Sequence, residues 1–180
     1  MDLNRRHLIG ATAAGVAGAM AASPEAARAT QLASSIGRDA TQYGVRPGSP
    51  DDQTRALQRA IDDAARAGVP LALPPGVYRT GTLRLANGTQ LVGVRGATRL
   101  VFGGGGPMLL GEGAGHVSLS GLVLDGGKVP LPARQGLICC LGGRDIRITD
   151  CEITASGGNA IWIEQVSGDI SNNLITDTAG

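Results

Sequence analysis

The chain's single tryptophan, Trp162, stands two residues before Glu164 in the stretch Ser156-Gly157-Gly158-Asn159-Ala160-Ile161-Trp162-Ile163-Glu164-Gln165. Side chains alternate across a strand, so if Ile161 and Ile163 point into a core, Trp162 and Glu164 point out of it together. An outward indole offers an apolar face to a sugar ring, and a carboxylate two positions along accepts hydroxyl hydrogen bonds. That pair is the candidate substrate-binding site; the plain alternative is an indole covered by a loop. Alternation from Arg144 to Ile153 likewise turns Arg147 and Glu152 outward, on either side of a turn at Asp150. Glu152 can take part in proton transfer and Arg147 offers a fixed positive charge, although an outward charge on a strand also serves simply as solvated surface. Asp125, in Leu124-Asp125-Gly126-Gly127, completes the candidate catalytic set, with tight-turn formation as its competing role.

These side chains sit in short Val/Ile/Leu/Thr runs punctuated by Gly, Asn and Asp, and the runs repeat. Ile148-Thr149-Asp150-Cys151-Glu152-Ile153 matches Ile170-Ser171-Asn172-Asn173-Leu174-Ile175 at a spacing of 22 residues. Leu119-Ser120-Gly121-Leu122-Val123-Leu124 matches the same frame 29 residues earlier, the excess being a loop at Lys128-Val129-Pro130-Leu131-Pro132-Ala133-Arg134. In a second register, Gly136-Leu137-Ile138-Cys139 aligns with Ala160-Ile161-Trp162-Ile163 at a spacing of 24. A unit of this length cannot bury its own apolar face, whereas a stack of them buries one continuous interior. The expected fold is therefore all-β, a parallel β-helix. In it Ile148, Ile153, Ile161, Ile163, Ile170 and Ile175 point inward in ladders. Asp150 and Asn172 stack at a turn, where their side chains satisfy backbone groups. On the outside, Val123 and Leu174 fall beside Glu152, and Asp169 near the equivalent of Asp145. A β-sandwich would instead show hairpin turns about every 8 to 12 residues.

One helix precedes the repeats. Asp51-Asp52-Gln53-Thr54 opens it with acidic capping residues, Leu57, Ala60, Ile61 and Ala64 form one apolar stripe, and Gly68 and Pro70 stop it. Further upstream, Asn4-Arg5-Arg6-His7-Leu8-Ile9 is a twin-arginine pair, Ile9 to Ala22 is an uncharged Ala/Gly run, and Ala27-Arg28-Ala29 is a cleavage site of A-x-A type. A transmembrane anchor needs roughly 20 strongly apolar residues, and this run is too short and too glycine-rich. The organisation expected is a twin-arginine signal peptide over 1–29, an N-terminal strand and capping helix over 30–69, and β-helix courses over 70–180. The twin-arginine export machinery is then a partner, and the protein is periplasmic or secreted.

Removing residues 1–29 takes three of the 16 basic and two of the 15 acidic residues and leaves 13 of each. With a mature charge near zero and no basic stripe, no nucleic-acid partner is expected, and no second apolar segment provides a membrane span. The three cysteines, Cys139, Cys140 and Cys151, lie in apolar runs, which points to buried thiols rather than disulfides. No Cys/His spacing matches a zinc site.

Three segments together, Tyr43-Gly44-Val45, Asp51-Asp52-Gln53-Thr54-Arg55-Ala56-Leu57-Gln58-Arg59-Ala60-Ile61 and Leu73-Pro74-Pro75-Gly76-Val77-Tyr78, resemble the amino-terminal signature of the pectate-lyase-like superfamily. That signature is a tyrosine- or phenylalanine-glycine strand, an aspartate-capped helix closing the end of a right-handed β-helix, and a P-P-G-x-Y turn into a strand. With the export signal, the whole resembles the twin-arginine-exported β-helix repeat proteins. In the polygalacturonase-type hydrolases of the superfamily, a G-D-D-C-I-x-I strand supplies paired carboxylates. Its counterpart here is Gly157-Gly158-Asn159-Ala160-Ile161-Trp162-Ile163, with Gly158 and Asn159 at the acid positions, and the N-T-D-G-I of the preceding course reads Ala133-Arg134-Gln135-Gly136-Leu137. Glycoside hydrolysis by the usual route needs two carboxyl groups across the bond, so that mechanism is excluded at these positions.

The resemblance implies a protein that acts on, or binds, cell-envelope or environmental polysaccharide. A lyase or epimerase of β-helix type requires a base and a neutraliser for the uronate carboxylate, commonly calcium. Arg147, Glu152 and Asp125 are the available catalytic candidates, and the acids are too sparse for a calcium site, so no cofactor or metal is expected. The alternative is a non-catalytic structural or glycan-binding scaffold, or an inactive fragment of a longer protein. Thr176-Asp177-Thr178-Ala179-Gly180 matches Thr154-Ala155-Ser156-Gly157-Gly158, so the sequence stops where the next inward strand is due, with no closing helix or polar cap. A β-helix truncated at its carboxyl end, or one that pairs its open end with another copy, is expected on that ground.

Overall fold

A computed structural model describes residues 37–179; the twin-arginine segment and its cleavage site lie outside the described residues. The short strand β1 (Arg38–Asp39) leads through a 3₁₀ turn (Ala40–Tyr43) towards helix α1 (Thr54–Ala67). Strands β2 (Leu71–Ala72), β3 (Gly76–Thr80) and β4 (Leu83–Arg84) form the first course. The second contains β5 (Gln90–Val92), β6 (Thr98–Phe102) and β7 (Leu109–Glu112), and the third β8 (Gly115–Ser120), β9 (Val123–Asp125) and β10 (Gly136–Leu141). β11 (Arg144–Thr149), β12 (Glu152–Thr154) and β13 (Asn159–Glu164) follow, and then β14 (Gly168–Ser171) and β15 (Leu174–Thr176). Every pairing is parallel and links a strand to its counterpart one course away, giving three sheets. Sheet I is β1-β2-β5-β8-β11-β14, sheet II is β3-β6-β9-β12-β15 and sheet III is β4-β7-β10-β13. The chain is a right-handed parallel β-helix.

Inward ladders explain why these residues stack. Leu71, Leu91, Leu119, Ile148 and Ile170 are register partners in sheet I. Leu100, Leu124, Ile153 and Ile175 run up sheet II, and Leu83, Leu109, Ile138 and Ile161 run up sheet III. Each fully buried leucine or isoleucine contributes about 1.5–3 kcal/mol of transfer free energy relative to exposure. The 22- and 29-residue spacings are therefore physical course lengths. Ile163, Ile170 and Ile175 belong to the inward rows yet are 44%, 43% and 47% exposed, because no described course stacks on them.

The 24-residue alignment is one residue too long. Ile138 pairs with Ile161, and Cys139 with Trp162, a spacing of 23. A slip of one residue turns every side chain to the opposite face, and only the observed register keeps the isoleucines stacked inside. The first strand also lies upstream of its expected place: Tyr43 ends the 3₁₀ turn, which closes on Gly44 in the left-handed region (φ 81°).

Helix α1 lies across the first course, burying Leu57, Ala60, Ile61 and Ala64. Asp52 Oδ1 accepts from the Thr54 amide at 2.8 Å, and Gly68 stops the helix with φ 65°. Gln53, at the N-cap, turns its side chain to the backbone of Arg46. After Pro74-Pro75, β3 begins as expected, and the buried Tyr78 hydroxyl donates to the Pro74 carbonyl at 2.6 Å. Asp150 and Asn172 do occupy equivalent left-handed turn positions (φ 55° and 57°), but neither performs the backbone satisfaction expected of it. Asn173 does so: its Oδ1 accepts from the Cys151 amide at 2.9 Å and its Nδ2 donates to the Ile148 carbonyl at 2.7 Å. Asp150 pairs instead with Arg95 at 3.2 Å. The three thiols are free and buried.

Candidate functional site

Because Leu83, Leu109, Ile138 and Ile161 fill the inner row of sheet III, the adjacent residues form an outer row: Arg84, Leu110, Cys139 and Trp162. Glu112, Leu141 and Glu164 form a second outer row beside it. At one end the face opens into a groove of about 500 Å³ against α1, lined by Thr54, Arg55, Gln58, Thr82, Arg84 and Leu110. Thr82 Oγ1 is buried there without a hydrogen-bond partner. Parallel strands lie about 4.8 Å apart, so the three steps from Arg84 to Trp162 extend the face over about 14 Å.

Trp162 and Glu164 are turned outward together, as alternation requires. The indole Nε1 donates to Glu164 Oε1 at 3.0 Å. A third group, which sequence reasoning left in the loop, joins them. Arg134 donates from its terminal nitrogen to the same Glu164 oxygen at 2.9 Å, and its guanidinium carbon lies 5.8 Å from the indole centroid. That is cation–π range. The Arg134 bond, followed by the indole N–H, holds the Glu164 carboxyl below the usual carboxylate range. One part of the loop thus meets the indole, while the second carboxylate oxygen of Glu164 has no partner among these three groups.

Arg134 is delivered by the inserted loop, which is a strap laid along the next course. The Lys128 amide donates to the Ala155 carbonyl at 2.8 Å, Pro130 forms a parallel bridge with Gly157, and Lys128 pairs with the Asp177 carboxylate. A Cβ on Gly157 would stand 2.0 Å from the Val129 carbonyl oxygen, and one on Gly158 3.2 Å from Leu131 Cβ. The position at which a polygalacturonase-like strand would present its first acid, Gly158, therefore lies tight against the strap. Asn159, at the second, donates its side-chain amide to the Gln135 carbonyl at 3.1 Å.

The proposed catalytic trio is divided between two faces. Arg147 lies on the outside of sheet I, and Asp125 and Glu152 on the outside of sheet II, with the Asp150 corner between. Asp125 is bound on both oxygens: Arg99 lies 2.9 Å from one and the Gly127 amide donates to the other at 3.0 Å. Glu152 stacks between Val123 and Leu174. Arg147 pairs with Asp145 at 2.8 Å, and Asp169 stands opposite Arg147, not Asp145. Among the described residues no group of three or more His, Cys, Asp or Glu side chains is placed to hold a metal ion, and no helix is long and apolar enough to cross a membrane.

His116 was missed. Its Nδ1 lies 2.9 Å from Asp145 Oδ2, and the 29-residue offset that aligns Leu119 with Ile148 also places His116 against Asp145. That arithmetic was available in the sequence.

Fold and faces together define the class: a right-handed parallel β-helix with an arginine-buttressed tryptophan on one outer sheet. Among solved structures the chain is similar to a "putative glycosyl hydrolase" from Parabacteroides merdae (TM-score 0.65, 17% identity, covering 79% of this chain and 77% of that one). It is also similar to the A-module of an Azotobacter vinelandii mannuronan C-5 epimerase (TM-score 0.60, 19% identity, 76% and 45%). The chain thus spans less than half of the epimerase module's length. No family model and no curated protein matches the sequence.

Proposed function

We propose that this protein binds polysaccharide along the outer face of sheet III, with Trp162 as the sugar platform. The observation that carries the reading is the Trp162–Glu164–Arg134 cluster: an outward indole whose edge is tied to a carboxylate and whose face meets a guanidinium. Tying both ends of the cluster reduces the rotamer freedom lost on binding, and sugar rings stack on such a surface while hydroxyls take the remaining carboxylate and guanidinium valences. The polysaccharide-related names of both structural neighbours support the same substrate class.

Calorimetric titration with a panel of neutral and uronic-acid oligosaccharides tests the proposal. Binding that weakens roughly two- to twelvefold in Trp162→Ala, the equivalent of the 0.5–1.5 kcal/mol of an aromatic contact, supports it. Binding that is unchanged in that variant overturns it. Twin-arginine export to the periplasm belongs to the same reading, and rests on Arg5-Arg6 and Ala27-Arg28-Ala29. Replacing both arginines by lysine should retain a reporter fused to this leader in the cytoplasm; a reporter that is still exported removes that part of the proposal.

A further inference from the structure

The outer face of sheet I carries a second cluster, separate from the tryptophan face. His116 and Asp145 are stacked residues at one corner of successive courses, both in the left-handed region (φ 54° and 53°). His116 Nδ1 meets Asp145 Oδ2 at 2.9 Å, and Arg147 meets the other oxygen at 2.8 Å. Ser118 is two residues along from His116 on β8 and is the register partner of both Arg147 and Gln90. These side chains line a hollow of about 200 Å³.

The hydrogen-bond inventory assigns the imidazole tautomer. The His116 contact and the Arg147 charge hold the Asp145 carboxyl below its ordinary value, so at neutral pH it is a carboxylate that can only accept. Nδ1 must then donate, and in the neutral imidazole the lone pair is on Nε2. A carboxylate-oriented imidazole is the arrangement that makes a neutral histidine a directed base. The His116 side chain is 67% exposed, so Nε2 is open to an incoming group, and Arg147, 62% exposed, keeps further N–H groups beyond the one on Asp145. Ser118 brings the one hydroxyl among the hollow's lining residues.

We propose that this hollow is an ester-hydrolysing site for small acyl esters, with Ser118 as nucleophile, His116 as general base, Asp145 as positioning residue and Arg147 meeting the oxyanion. Ser118 Oγ bonds to the ester carbonyl carbon as its proton passes to His116 Nε2. The tetrahedral oxyanion, facing the Arg147 guanidinium, collapses by breaking the bond to the alkoxy oxygen, which leaves with the proton from Nε2. Water then attacks the acyl-serine, giving its proton to Nε2. The acid is released and Ser118 recovers its proton. The hollow accommodates an acyl group of a few carbons, and its open rim leaves a large alcohol in solvent.

The test uses the full chain with 4-nitrophenyl acetate and a fluorophosphonate probe, followed by peptide mapping. The expected result is one phosphonyl adduct on Ser118, and hydrolysis that falls about a hundredfold or more in Ser118→Ala and in His116→Gln, the range of a lost general base. Asp145→Asn should lower kcat with little change in KM, and Asp145→Glu should partly restore it, which a merely structural aspartate would not do. An adduct on any other residue, or wild-type hydrolysis no faster than that of a Ser118→Ala protein with an unchanged circular dichroism spectrum, overturns the proposal. Absence of label on wild-type Ser118 does so whatever the variants' folding.

Discussion

Gly157 is the position at which the fit between strap and wall can be measured. A Cβ built on it would lie 2.0 Å from the Val129 carbonyl oxygen, 2.4 Å from its carbon and 2.9 Å from the Pro130 nitrogen. All three are backbone atoms, so no rotamer change relieves the overlap in Gly157→Ala. The strap has to lift, which removes the Pro130 bridge and shifts Arg134 away from the indole. Overpacking of this kind costs about 1–3 kcal/mol. At roughly 2–4 °C per kcal/mol for a chain of this size, a cost of about 2 kcal/mol lowers Tm by about 4–8 °C. Gly103→Ala is the matched control, since its Cβ would approach nothing closer than 3.7 Å. The assay is thermal unfolding by circular dichroism, with limited proteolysis reporting on cleavage within residues 128–134. A Gly157→Ala protein that melts with the control and keeps its strap protected would refute the reasoning, and with it the account of why a glycine stands there.

Other consequences are open to measurement. Burial, with a smaller contribution from the Asp39 charge, pushes the Tyr78 phenol far above its ordinary value of 10.0. The fold therefore favours the neutral phenol, and this stabilisation is complete below about pH 10 and is lost as pH rises towards the folded value. Urea unfolding should show less alkaline loss in Tyr78→Phe, along with a loss of about 1 kcal/mol at neutral pH for the bond to Pro74. Burial raises all three thiols, Cys140 to about 11, so a chromogenic disulfide should titrate none in the native protein at pH 8 and three after unfolding. Nuclear magnetic resonance should find the Asp145 carboxyl titrating below its usual range, and moving upward in His116→Ala, because the His116 bond is the leading cause of the depression. The double change Gly158→Asp with Asn159→Asp should gain no polygalacturonate hydrolysis by reducing-end assay, because Leu131 lies against the first position and the Gln135 carbonyl engages the second.

The β-helix was legible because its determinant is periodic. Inward isoleucines at fixed offsets leave one arrangement that buries them all, and the courses from Leu119 and Ile148 are paired as their spacing requires. The helix stripe and its glycine stop were legible for the same reason: period and punctuation are local properties. The 24-residue alignment failed at the corner after the strap, where the length of a turn, unlike the period of a strand, leaves no hydrophobic signature. The turn at Asp150 showed a related limit. Equivalent positions were identifiable, but which of two adjacent asparagines reaches the backbone depends on χ angles.

The site divides along the same line. Sequence alone decided that Trp162 and Glu164 share an outer face, that the paired acids of a polygalacturonase-like strand are lacking, and that the cysteines sit in apolar runs. Only the tertiary structure decided what those residues meet. It brought Arg134 onto the indole from 28 positions earlier in the chain, and divided Arg147 from Asp125 and Glu152. Alternation fixes the side of a strand on which a side chain emerges. Its partner is set by how many residues each corner consumes, and that number is settled only when the courses stack.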